Sequence, residues 1–132
     1  MGRRVLVVED SAVIRRLIDV CLRPARIEVI MREDGPTGLT AALEDPPDLL
    51  VLDIGLPEMD GWQVLDRLRA DERTKRLPVL VLTAHAEEES RRRADRGGAN
   101  AFVTKPFQPA EFRRLVLTLL AEANVGMTRA IG

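Results

Sequence analysis

Glu9 and Asp10 stand side by side where the first apolar run of the chain, Val5–Val8, ends, and Asp53 stands where another, Leu49–Leu52, ends. If the two runs are parallel strands of one sheet, three carboxylates meet at one edge. Such anions repel and raise each other's pKa unless a cation lies among them. Oxygen-only ligands of this kind suit Mg2+, which takes few protein ligands and keeps several waters. Asp53 is also a candidate nucleophile, since a carboxylate can attack phosphorus and form an acyl phosphate. The attack brings further anion into an anionic pocket, which metal charge must offset. The following loop carries Pro57 and Gly61, turn residues that leave space for an incoming group. Asp is common at turns and caps as well, but Glu9 and Asp10 at the same edge favour the chemical reading.

Two further polar groups fall at run ends. Thr83 closes the run Val79–Leu82 with a hydroxyl able to donate to a phosphoryl oxygen, although alone it reads more simply as a helix N-cap. Lys105 follows the run Ala101–Val103 and is followed by Pro106. Of the 20 basic residues only Lys75 and Lys105 are lysines. A lysine placed at a strand end in an arginine-rich chain is suited to meet an oxyanion as a compact charge. The Lys105–Pro106 bond is a candidate for the cis form.

These residues need a scaffold. Five apolar runs, at Val5–Val8, Ile27–Met31, Leu49–Leu52, Val79–Leu82 and Ala101–Val103, predict five strands. Their continuity, without alternation, predicts burial on both faces. Between them lies helical spacing: Ile14, Leu17, Ile18, Cys21 and Leu22 after an N-cap at Ser11, then roughly Pro36 to Glu44, Gly61 to Ala70, Glu87 to Arg96, and Pro109 to Ala123. Five βα units imply a parallel sheet covered by helices on both faces. In such sheets ligands bind beyond the carboxyl ends of the strands, at the switch point of strand order.

The whole chain bounds the function. A length of 132 residues fits one domain and a hydrophobic core without disulfides. A net charge of −1 provides no global field for nucleic acid. The single cysteine, Cys21, reads as a buried core thiol and fits a reducing compartment. No run approaches the roughly 20 apolar residues of a membrane span, and the first strand is too short for a signal-peptide core. A cytoplasmic location is expected. Arg91, Arg92, Arg93 and Arg96 read as a solvated helix face or a partner-docking patch, and Trp62 as a packing residue beside the active loop.

Glu9-Asp10, Asp53 with Pro57 and Gly61, Thr83-Ala84, and Phe102 with Lys105-Pro106 together resemble the receiver domain of two-component response regulators. The resemblance covers residues 4–123. It implies a flavodoxin-like five-stranded sheet of order 2-1-3-4-5, with a receiver domain over 1–123 and a short tail over 124–132. It also implies that Asp53 takes a phosphoryl group from a histidine of a sensor kinase or phosphotransfer protein. Asp10, Asp53 and the backbone carbonyl of Gly55 would bind Mg2+ directly, and Glu9 mainly through a metal-bound water. Lys105, Thr83 and the backbone N–H of Ala84 would hold phosphoryl oxygens. Thr83 and Phe102 would switch the face formed by the fourth helix, fifth strand and fifth helix, where a downstream protein docks. Arg15 and Arg16 lie on the first helix near the rim, where kinases or phosphotransfer proteins often dock in the family.

The chain departs from the common pattern in three places. Position 9 is Glu, a frequent variant; Gly55 stands where the family usually has a larger side chain; and Phe102 lacks a tyrosine hydroxyl. By the same resemblance Gly55 and His85 would flank the path of a hydrolysing water and tune the lifetime of the acyl phosphate, Gly55 by leaving the path open and His85 by assisting the water unless it only caps the loop or faces solvent. An aspartate-nucleophile phosphohydrolase would need a second Asp as general acid where Gly55 stands. A nucleotide-binding module would want a glycine-rich turn after the first strand, where Glu9-Asp10-Ser11 would repel phosphate. A receiver cut from a longer transcription factor or hybrid kinase is the remaining alternative to a complete single-domain protein, which the short tail favours.

Overall fold

The computed structural model describes residues 3–84 and 88–131, with residues 123–131 as backbone only. Strands β1 (Arg3–Val8), β2 (Ile27–Arg32), β3 (Leu49–Asp53), β4 (Val79–Thr83) and β5 (Ala101–Thr104) alternate with helices α1 (Ala12–Leu22), α2 (Gly35–Glu44), α3 (Gly61–Ala70), α4 (Glu88–Arg96) and α5 (Pro109–Ile131). All four strand pairs are parallel, and the order is β2-β1-β3-β4-β5. This is the flavodoxin-like arrangement that the resemblance implied.

Successive β1 residues serve opposite layers. Val5 and Val7 pack with Ile18 and Leu22 of α1 and with Phe112 and Val116 of α5. Leu6 and Val8 pack with Leu39 of α2 and with Val64, Leu65 and Leu68 of α3. The inner strands β3 and β4 are buried throughout, as continuous runs predict, whereas the edge strands β2 and β5 are mostly half-buried. An edge strand has one uncovered side, so continuity alone overstates its burial.

Helix starts follow side-chain caps. The Ser11 hydroxyl accepts from the Ile14 N–H, Asp34 accepts from the Thr37 N–H, and Asp60 forms a reciprocal capping box with Gln63. The last helix runs past the predicted Ala123 to Ile131. A single glycine, Gly126, costs a helix only about 1 kcal/mol, and no proline intervenes to stop it. The expected boundary between domain and tail is therefore not a break in secondary structure.

Candidate functional site

Sheet register brings the polar residues together. Val8 is level with Leu52, so Glu9 falls level with Asp53. Asp53 is level with Leu82 and Leu82 with Val103, so Thr83 follows one step and Lys105 two steps further along the same edge. The backbone locks this edge: the Ile54 N–H donates to the Leu82 carbonyl at 3.0 Å and the Lys105 N–H to the Thr83 carbonyl at 2.7 Å. Gly61 lets α3 start against Asp53, because a Cβ there would lie 2.5 Å from the Asp53 carbonyl oxygen.

Glu9, Asp10 and Asp53 each offer a carboxylate oxygen within 4.8 Å of the others. Glu9 and Asp53 are 0% and 2% exposed, whereas Asp10 faces solvent. An oxygen-only set with one open side fits Mg2+, which keeps several waters. The Lys105 ammonium lies 3.0 Å from Glu9 Oε1 and 3.3 Å from Asp53 Oδ1. A protein cation thus already stands between two of the three anions. The second Glu9 oxygen accepts from the Ser11 N–H at 2.9 Å, and Asp53 Oδ1 accepts from the Gly55 N–H at 3.1 Å.

Burial pushes the Glu9 carboxyl up to about 7, and the charge of Asp53 adds to the rise, against the pull of the Ser11 N–H and Lys105. Burial works against the Lys105 ammonium, but its hydrogen bonds and charge interactions with Glu9 and Asp53 hold it above the ordinary lysine value. Lys105 therefore stays charged at neutral pH while Glu9 is poised to exchange a proton.

Among the residues predicted from sequence, Thr83 is buried beside this cluster and Ala84 is exposed just beyond it. Gly55 is exposed, and a Cβ there would meet only Asp53 Oδ1, at 3.8 Å. The Lys105–Pro106 bond is cis. Phe102 is half-buried beneath the Arg91 guanidinium, 5.3 Å from the ring centroid. His85 lies outside the described residues. Trp62 and Cys21 are buried, as expected.

Two contacts escaped the sequence reading. Lys105 reaches Glu9 as well as Asp53, and the Arg15 guanidinium donates to the Glu9 carbonyl at 2.8 Å. The only signal for the second was the position of Arg15 one turn into the helix capped by Ser11.

Residues 5–117 match the family described as the response regulator receiver domain. The chain belongs to this family. It is 38% identical over 121 residues to the DNA-binding dual master transcriptional regulator RpaA of Synechocystis, covering 92% of this chain and 50% of that protein. A putative response regulator from Chloroflexus aurantiacus superposes with a TM-score of 0.87 at 32% identity, covering 92% of this chain and 99% of that one. The receiver domain of sensor histidine kinase PA1611 from Pseudomonas aeruginosa, solved with magnesium coordinated in its active site cleft, gives 0.84 at 30% identity, covering 92% and 99%. The chain spans about half the length of the curated relatives it matches. Receivers are signalling domains of two-component systems that bind Mg2+ at an acidic pocket and interact with histidine kinases or phosphotransfer proteins, and this one has the acidic pocket at the β1/β3 switch point.

Proposed function

We propose that Asp53 is the phosphoacceptor of this receiver. One observation carries the reading: a buried carboxylate at the end of a central strand faces the Lys105 ammonium at 3.3 Å, with two further carboxylates within 4.8 Å. In the proposed transfer an Asp53 carboxylate oxygen forms a P–O bond as the P–N bond of a kinase or phosphotransfer-protein phosphohistidine breaks. The leaving imidazole keeps the electron pair. Asp10, Asp53 and the Gly55 carbonyl would hold Mg2+ directly and Glu9 through water, and the bound charge would offset that of the incoming group. Lys105, the Thr83 hydroxyl and the Ala84 N–H take the phosphoryl oxygens. Lys105 must then exchange carboxylate partners for phosphoryl oxygens, which its flexible stem permits.

The signal leaves through Thr83 and Phe102. A hydroxyl drawn to the phosphoryl group makes room for the ring to turn inward, shifting a pre-existing equilibrium of the α4–β5–α5 face. A protein partner reads that face in the cytoplasm; direct nucleic-acid and membrane binding play no part. Among the described residues no helix is long and apolar enough to cross a membrane. Catalysis on other substrates is no part of the proposal, since Gly55 cannot supply the general acid a phosphohydrolase needs.

Incubation with acetyl phosphate and Mg2+, followed by intact-mass measurement, tests the assignment. The native chain gains one phosphoryl mass and Asp53→Asn gains none. Equal, stable labelling of the variant contradicts it.

A further inference from the structure

Asp10 is the proposed magnesium ligand with the least visible support. It is exposed, and among the described residues no hydrogen bond or ion pair holds its carboxylate. Of its geometry, the backbone then fixes the direction of the Cα–Cβ bond from which the carboxylate reaches the metal. That backbone begins at the rigid peptide plane joining the Glu9 carbonyl to the Asp10 N–H. The Glu9 N–H still belongs to the sheet, donating to the Arg32 carbonyl at 3.0 Å. Its carbonyl lies past the last ladder pair, Val8 with Arg32, where an unmet acceptor would be costly. Arg15 supplies the donor, from Nη1 at 2.8 Å. The Arg15 backbone N–H donates to the Ser11 carbonyl at 3.0 Å in the first turn of α1, so the guanidinium starts from a fixed backbone.

The other arm of the guanidinium reaches Glu33 Oε1 at 3.0 Å. Glu33 precedes Asp34 and Gly35, and a Cβ on Gly35 would lie 2.4 Å from the Met59 carbonyl in the loop after Asp53. Arg15 thus touches the turn after β1 and the turn after β2, and the second of these abuts the loop after β3. The two arms are unequal. The Glu9 contact is part-buried and charge-assisted, whereas the Glu33 side chain is 73% exposed, and exposed ion pairs contribute little.

We infer that Arg15 is a positioning residue for magnesium: by fixing the Glu9–Asp10 peptide plane it aims Asp10 at the metal. The inference rests on the proposed function for the identity of the metal site. Partners one step behind a metal ligand commonly govern affinity by about ten- to a hundredfold. Arg15→Met, which keeps the length of the stem and removes the donors, raises the Mg2+ concentration for half-saturation by about tenfold or more. Arg15→Lys, which keeps one charged head, raises it about two- to fivefold, and Glu33→Gln less than about twofold.

The test is Mg2+ titration of the full chain, followed by NMR of the Ser11 and Gly55 amides without phosphodonor. It is paired with the acetyl-phosphate reaction at rising Mg2+. A positioning role moves half-saturation but leaves the rate at saturating Mg2+ near native; a general loss of structure lowers both. Native affinity in folded Arg15→Met overturns the inference, and so does a deficit that saturating Mg2+ does not restore. If Arg15→Met fails to fold, native affinity in Arg15→Lys overturns it. A chain that shows this order of affinities but labels away from Asp53 overturns the proposed function while supporting the role of Arg15. A native chain that takes up no Mg2+ overturns both.

Discussion

Helices α3 and α4 pack in the same layer but are held by different forces. Trp62, Val64, Leu65 and Leu68 of α3 are buried, and a capping box fixes its start. α4 buries only Ala94. Two cation–aromatic contacts also join it to the body: Arg91 lies over Phe102, and Arg93 lies 4.9 Å from the ring centroid of Trp62. The Arg92–Glu88 and Arg96–Glu89 pairs are exposed and contribute little. A buried leucine contributes about 1.5–3 kcal/mol, an exposed cation–π contact about 0.5–1 kcal/mol. The helix that starts against Asp53 is therefore firmly seated, and the one that faces Phe102 is weakly seated. The proposed switch therefore predicts that a small change in free energy at the pocket moves the second and not the first.

The contrast is broken most severely in α3. Leu68→Ala removes a fully buried side chain and costs about 2–5 kcal/mol of global stability, read by urea denaturation. Replacement of Arg91 or Arg93 leaves that midpoint within about 1 kcal/mol. A large global loss from either arginine would erase the distinction between the helices.

The pocket holds a carboxyl whose proton affinity burial raises. In the proposed site a proton on Glu9 removes a negative charge that would favour Mg2+, so the expected affinity falls as pH drops through about 7. The sign for stability is opposite. Without metal the folded chain keeps a proton that an ordinary carboxyl near 4.5 has lost, so stability declines as pH rises from about 4.5 to about 7. Titrations at pH 5.5, 6.5 and 7.5 check both signs, and a flat Mg2+ profile counts against the buried-acid account.

Gly55 sharpens the contrast in time. The open space around it admits a side chain, so Gly55→Arg shields the phosphoryl group from water and prolongs the phosphorylated state several-fold, on the order of 1 kcal/mol in the hydrolysis barrier. If His85 assists the water, His85→Ala lengthens it too. Decay followed by mass spectrometry decides, and unchanged lifetimes in both remove water access from these positions. The smallest effect belongs to α4. Arg93→Met lowers amide protection over residues 88–96 about two- to fivefold, the amount one exposed cation–π contact supports. Unaltered protection would mean the stacking holds nothing.

The pocket was legible in sequence because each strand is an apolar run that an acid, a hydroxyl or a lysine interrupts. Parallel pairing then turns sequence position into position along one edge. The α4 attachment was not legible. Arg91 and Arg93 have the composition of a solvated face, and only tertiary packing places Phe102 and Trp62 beneath them. Arg15 was legible as a residue near the rim, but its bond to the Glu9 carbonyl was not, because in an arginine-rich chain the position one turn into a helix does not say which group the guanidinium meets. The end of α5 escaped because the apolar repeat fades before the backbone hydrogen bonding does.

Hydrogen exchange on the chain before and after phosphorylation by acetyl phosphate, resolved by helix, tests the central claim most directly. The account predicts that protection changes across residues 88–96 and 101–104 while residues 61–70 keep theirs, and that Asp53→Asn shows neither change. Equal changes in α3 and α4, or an α4 indifferent to a phosphoryl group on Asp53, would contradict it.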